Sequence, residues 1–536
     1  MKSFPVRTYE DVREALLAKR EIALLDVREE DPHAQCHPLF AANFSLSKIE
    51  LEAWTRLPRR DVPIVLLDAG EGFTERAAER LARLGYTNVA LLAGGLDGWI
   101  RAGGEVFRDV NVPGKAFGEF VEAQRHTPSL SAEAVDALLQ NGEDVVVLDA
   151  RRFDEYQTMN IPGSVSVPGA ELVLRARSLA PDPATRVIVN CAGRTRSIIG
   201  TQSLVNAGLP NPVAALRNGT IGWTLAGQML EHGSSRQFDP QAGRNKHDLG
   251  QSRHAALALA ERAGVQRTTL SETARWAEDR SRTTYRFDVR TPAEYERAHA
   301  AGFQGAPGGQ LVQETDMFAP VHGSRVVLFD DDGVRANMTA SWLAQMNIDV
   351  YVVDGASPAD LTETGAWKSS RPAPVVSTPT VSPDELATLL ADPASQTVVL
   401  DFTSSANHVK GHIPGARWLL RSRLTGTFDD LRTLPDAKRY VVTCATSALA
   451  PFAAPEVAAL TGKPVHVLEG GTSAWSRAGL PIETGDAQLV SPRIDRYQRP
   501  YEGIDNAREA MNAYLEWEYG LVAQLERDGT HGFFVI

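Results

Sequence analysis

The chain has 536 residues, 43% of them hydrophobic and 23% charged, and a formal net charge of -12. That length points to roughly three to five domains; the acidic balance argues against nucleic-acid binding, and no apolar run reaches membrane-spanning length. Three cysteines without a CxxC pair (Cys36, Cys191 and Cys444), and an opening stretch lacking a signal-like apolar core, predict a cytoplasmic protein with neither disulfide scaffold nor zinc site.

The first predicted strand, "ALLDVRE", ends in Asp26, with Arg28 two residues on. A second, "PIVLLD", ends at Asp68; the amphipathic "TERAAERLARLG" follows, and "GGLDGW" closes at Trp99. The next unit repeats the order: "VVLDARR" (Asp149, Arg151), "RVIVNC" (Cys191), "RSIIGTQSLVNAGL" and "NGTIGW" (Trp223). A third runs "YRFDVRT" (Asp288, Arg290) and "RVVLFD" (Asp330), but has only "VVDGASPAD" in place of the closing marker. The fourth reads "VVLDFTS" (Asp401, with Thr403 where an arginine is expected), "RYVVTC" (Cys444) and "GGTSAW" (Trp475). The two strand ends lie 42, 42, 42 and 43 residues apart, and each tryptophan marker 31 or 32 residues further on. Such register marks internal repeats. Short apolar strands alternating with amphipathic helices predict an α/β fold, each unit a small parallel sheet with helices on both faces.

The units alternate Asp, Cys, Asp, Cys at the second strand end. A duplicated two-domain module explains this, and each half is expected to fold alone. The predicted domains are 1–108, 109–235, 255–370 and 371–488. The polar stretch 232–254 reads as the join between halves, and "SSRPAPVVSTPT" as a second linker. A tail, 489–536, follows. It carries one predicted helix, with Asp505 near its start and Gly529 past its end. Met511, Tyr514, Leu515, Leu521, Val522 and Leu525 give that helix an apolar face, expected to dock or to join two copies.

The sequence around Cys191 carries the chemistry. Ligands bind at the carboxyl ends of strands in open parallel sheets. Residues Ala192 to Arg196 must turn into a helix beginning near Ser197. Such a loop gathers backbone N–H groups, and the helix start adds partial positive charge. Both favour a thiolate. Arg194 and Arg196 add two cations whose forks suit an oxyanion. Such charges beside a buried strand need an anion or an acidic partner. The arrangement predicts a nucleophilic cysteine within an anion cradle, as against a merely structural buried cysteine.

Asp149-x-Arg151, "IPG" at 161–163, the loop "CAGRTRS" and "GTIGW" together resemble the rhodanese family of sulfurtransferases. The resemblance extends to all four units. It implies four tandem rhodanese-like domains and a persulfide carried on Cys191. The loop of Ala192, Gly193, Arg194, Thr195, Arg196 and Ser197 would bind the donor, with the two arginines on its oxyanion end. Tyrosine-type phosphatases sharing this fold place the arginine six residues after the cysteine. Here it is five residues on, at Arg196, giving a smaller cradle suited to sulfur. The arginine pair favours thiosulfate over mercaptopyruvate, and the resemblance implies thiosulfate sulfurtransferase activity with a thiol or cyanide acceptor. A persulfide carrier delivering sulfur to a protein or thiol metabolite, and a non-enzymatic scaffold, are the competing readings. No cofactor, metal, membrane or nucleic-acid partner is expected.

Asp68 and Asp330 stand where a sulfur carrier would, and a carboxylate cannot hold a sulfane sulfur. Both units are expected to be inactive and to wall the active loop of the following unit, with Arg76 and Arg335 neutralising their acids. Cys444 lacks a nearby arginine and has Pro451 in its expected helix; it reads as a former site, or as a secondary one. Cys36, between His33 and His37, reads as a surface cysteine.

Overall fold

A computed structural model describes residues 3–374, 376–425, 428, 430–503 and 506–536, without the side chains of 431 and 432. Asp505, expected near the start of the last helix, lies outside the described residues. The α/β prediction is met four times. Each unit holds a five-stranded sheet with one topology, and every strand pairing within these sheets is parallel. In the second unit the order is Ser129–Leu130, Val213–Leu216, Arg186–Asn190, Val145–Asp149, Val165–Ser166. The central strands are apolar and buried, as a sheet covered on both faces requires.

The repeated markers have local structural work. Arg151 folds back on Asp149 through two bonds of 2.9 and 2.7 Å and donates a third to the Met159 carbonyl at 2.6 Å. Arg28 and Arg290 do the same with Asp26 and Asp288. In the fourth unit His408 bonds Asp401 at 2.8 Å instead. The closing tryptophans Trp99, Trp223 and Trp475 each donate to a carbonyl six residues on. Pro451 does not break its helix: it stands in the first turn of Ala450–Thr461, where a missing N–H removes no helical bond. The stretch 232–254 is not all linker, because the helix Lys246–Arg262 begins inside it.

The units pair across the two halves. Glu171 of the second unit bonds Arg335 of the third at 2.8 Å, and Trp342 donates to Ser203 at 2.8 Å. Their backbones nearly touch: a Cβ on Gly309 would stand 3.2 Å from the Gly169 Cα. The first unit pairs with the fourth by the equivalent face. Arg421 there binds Glu50 at 2.6 and 2.9 Å, and Ser422 donates to Glu29 at 2.6 Å. The first and third units meet in the centre, where Tyr285 donates to the Arg56 carbonyl at 2.7 Å. One continuous apolar core runs through both of these units and takes in Leu521 and Leu525 of the tail. The two halves thus share an apolar core.

Candidate active site

Strand Arg186–Asn190 lies inside its sheet between Val145–Asp149 and Val213–Leu216. It delivers Cys191, 1% exposed, at its carboxyl end. The helix begins at Thr195, two residues before the predicted start. The Cys191 thiol lies 3.4 Å from the Ser197 hydroxyl, which itself donates to the Arg194 carbonyl at 2.8 Å. The "NGTIGW" marker holds this loop from behind. Gly219 has φ +56°, and a Cβ there would lie 2.2 Å from the Cys191 carbonyl oxygen. Thr220 and Ile221 donate their N–H groups to the carbonyls of Cys191 and Ala192 at 2.9 and 3.0 Å. Ala192, Thr195 and Ser197 are buried.

The two arginines have internal partners, the second of the alternatives their burial allowed. Arg194 grips Glu119 through two bonds of 2.7 and 2.8 Å, and its guanidinium lies 4.2 Å from the Tyr519 ring centre. Arg196 grips Glu155 likewise, at 2.7 and 2.8 Å. Burial opposes the Glu155 carboxylate, but Arg196 more than compensates and holds it at about 2. Burial also pushes the Cys191 thiol up; Arg196 and Ser197 pull the other way without reversing it. Burial thus acts against the depression expected from the loop. Arg196 also lines a cavity of about 250 Å³, together with Asn111, Arg152, Arg496, Arg499 and Tyr501.

Three distant segments enclose the loop. Helix Val112–Arg125 brings Glu119 and packs Gly118 against Thr195, where a Cβ would come within 2.8 Å. The third unit covers the flank of the Cys191 helix through Trp342 and Gln313. Helix Arg508–Asp528 lays Tyr514 and Glu518 over Gly193. Its apolar residues Met511, Tyr514, Leu515, Leu521 and Leu525 are buried within the chain, so its predicted face docks internally and is not left for a second copy. Glu119, Glu155 and Glu518 were absent from the sequence reading, and Tyr514 entered it only as part of an apolar helix face. Glu518 had a signal: it falls in the apolar stripe that Met511, Tyr514, Leu515, Val522 and Leu525 mark.

The other strand ends differ. The Asp68 carboxylate accepts from the N–H groups of Gly70, Phe73 and Thr74 at 3.1, 2.7 and 3.1 Å, so the side chain fills its own cradle. Asp330 accepts from Gly333 and Ala336 at 3.0 and 2.8 Å. Arg335 pairs with Asp331 and Asp332. Arg76 does not neutralise Asp68; it donates to the Ser422 carbonyl at 2.7 Å. The wall beside the Cys191 loop comes from the third unit, not from the preceding one. Cys444 accepts the Leu449 N–H at 3.3 Å. Cys36 is half-buried; His33 beside it bonds Asp26 at 2.9 Å, and His37 stacks on His33.

The Rhodanese-like domain family model matches residues 8–102, 131–226 and 382–478. The third unit, outside those matches, has the same sheet order. The crystal structure of a thiosulfate sulfurtransferase from Pseudomonas aeruginosa is 64% identical, with a TM-score of 0.96, and covers 99% of this chain and 100% of its own. YrkF of Bacillus subtilis (strain 168), provisionally described as a sulfur carrier protein, is 25% identical over 136 residues, 23% of this chain and 72% of YrkF. No helix of the described residues is long and apolar enough to cross a membrane. Four sheets of one topology, a cysteine loop at a strand end, and these matches lead to one statement: the chain belongs to the rhodanese family, with four rhodanese-like units in tandem.

Proposed function

We propose that the protein is a thiosulfate sulfurtransferase in which Cys191 carries the transferred sulfur as a persulfide. The likeness to the Pseudomonas aeruginosa enzyme over nearly the whole chain supports the activity. One contrast supports the choice of unit. Asp68 and Asp330 occupy their own cradles with carboxylates, and Cys444 has no arginine in its loop. Among the four equivalent strand ends of the described residues, only that of Cys191 combines a thiol with a neighbouring guanidinium. In this reading the thiolate attacks the outer sulfur of thiosulfate, sulfite leaves, and the persulfide passes that sulfur to cyanide or a thiol.

Ala192, Gly193, Thr195 and Ser197 act through their backbone N–H groups on the persulfide. Arg196 is the better placed of the two arginines to meet the donor, because it also lines the arginine-rich cavity. Arg194, locked to Glu119 and covered by Tyr519, chiefly holds the loop's shape. The three cysteines are free thiols, which fits a reducing, cytoplasmic setting. Intact mass after mixing with thiosulfate tests the reading: one sulfur atom should add to the wild type and none to Cys191→Ser. The likeness to YrkF, described as a sulfur carrier, supports the competing reading of a persulfide carrier, and turnover with cyanide against thiols separates the two readings.

A further inference from the structure

Glu518 has no part in the scheme above, yet it is wholly buried on helix Arg508–Asp528. Its Oε1 accepts the Tyr514 hydroxyl at 2.9 Å. Its Oε2 has no hydrogen-bond partner among the described residues. That oxygen faces the sulfur loop, 3.1 Å from where a Cβ would stand on Gly193, two residues past Cys191. A buried polar atom without a partner is costly and calls for an explanation.

The surrounding charges do not answer it. On helix Val112–Arg125, Glu119 is an acid already gripped by Arg194, and Lys115 is bonded to Asp109 at 2.7 Å. Lys115 also lies over the rings of Tyr501, Tyr514 and Trp517. Burial first, then the charge of Glu119, push Glu518 up to about 8; Lys115, Tyr514 and Arg194 pull it down less strongly. Near neutral pH the carboxyl is therefore protonated. With Oε1 engaged as an acceptor, the proton belongs on Oε2, directed at the loop.

We infer that Glu518 handles the proton of sulfur transfer at Cys191, giving it to the leaving oxyanion and recovering one from the acceptor. This rests on the sulfurtransferase reading. In the first half, the Cys191 thiolate bonds to the outer sulfur of thiosulfate and the S–S bond to the sulfonate breaks. The Glu518 proton passes to the departing sulfite, leaving hydrogen sulfite, a Cys191 persulfide anion and a Glu518 carboxylate. In the second half, an acceptor thiol gives its proton to that carboxylate. Its thiolate then takes the outer persulfide sulfur, which returns the Cys191 thiolate and a protonated Glu518. No oxidant or reductant is required.

The test follows Cys191 persulfide formation from thiosulfate by rapid-quench mass measurement across pH. Because burial raises the Cys191 thiol while Glu518 lies at about 8, the wild-type rate should climb with pH and level off near pH 8. Glu518→Gln, which keeps the shape, should lose about a hundredfold at pH 7, the lower side of general-acid effects, and its rate should keep climbing past pH 8 without that break. Labelling of Cys191 by iodoacetamide, which needs no proton donor, should stay within about twofold of wild type. Tyr514→Phe removes a bond that lowers Glu518, so the break should move to higher pH. A Gln variant with the wild-type rate and break overturns the inference, as do equal losses in both reactions or an unmoved break in Tyr514→Phe. A wild type that gains no sulfur at Cys191 overturns the sulfurtransferase reading as well.

Discussion

At the scale of single residues, chemistry and support divide between neighbours. Cys191→Ser should abolish turnover, because a hydroxyl cannot form a persulfide, whereas Cys444→Ser should leave most of it; steady-state rates of both variants check this. The arginines carry a different expectation. Removing Arg194 leaves Glu119 buried and unpaired, which costs about 3–5 kcal/mol where one partner of a buried pair is lost. Arg194→Ala should lower the urea midpoint markedly, and adding Glu119→Gln should restore much of it. A double variant no more stable than the single one would refute the pairing. Glu155 gives a pH signature. Its carboxyl sits at about 2 in the fold, against about 4.3 unfolded. The stabilisation from this depressed carboxylate is complete above the unfolded value and is lost as pH falls from about 4.3 toward 2. Acid titration of stability should show that loss in the wild type and a smaller one in Arg196→Ala.

At the scale of elements, the closing marker fixes the sulfur loop through a glycine. Gly219 holds φ +56° against the Cys191 carbonyl, a left-handed conformation that favours glycine and a clearance that admits no Cβ. Gly219→Ala should lower the melting temperature and cut persulfide formation more than iodoacetamide labelling of the unfolded chain would suggest; a fully active alanine variant would contradict the close approach. This marker also shows why so much was legible. Asp149 and Arg151 meet across two residues, and Trp223 reaches a carbonyl six residues on, so local sequence records both. The grip of Arg194 on Glu119 spans 75 residues and that of Arg196 on Glu155 spans 41; the charge cost called for such acids but no spacing rule named them. The burial that opposes the loop's effect on the thiol was hidden for a related reason. Proximity of arginines can be read from sequence, whereas the depth of burial that outweighs them depends on segments folded in from elsewhere.

At the scale of the whole molecule, the pairing of first with fourth unit and second with third decides what can be cut. Residues 1–235 contain two units that are not each other's partners, and they lack the third unit's share of the common core. That fragment should be poorly soluble or inactive, and the full chain should unfold in one main calorimetric transition. Two well-separated transitions, or an active fragment, would restore the picture of independent halves. The crossed pairing also has a consequence for biosynthesis. The ribosome releases the Cys191 loop well before the third unit that flanks it, and before the helix that lays Glu518 over Gly193. At about 5–20 residues per second, that interval lasts roughly a quarter of a minute to a minute. During translation the nascent second unit is a thiol without its cover, and on the proposal above it gains its proton donor only when the tail helix folds back.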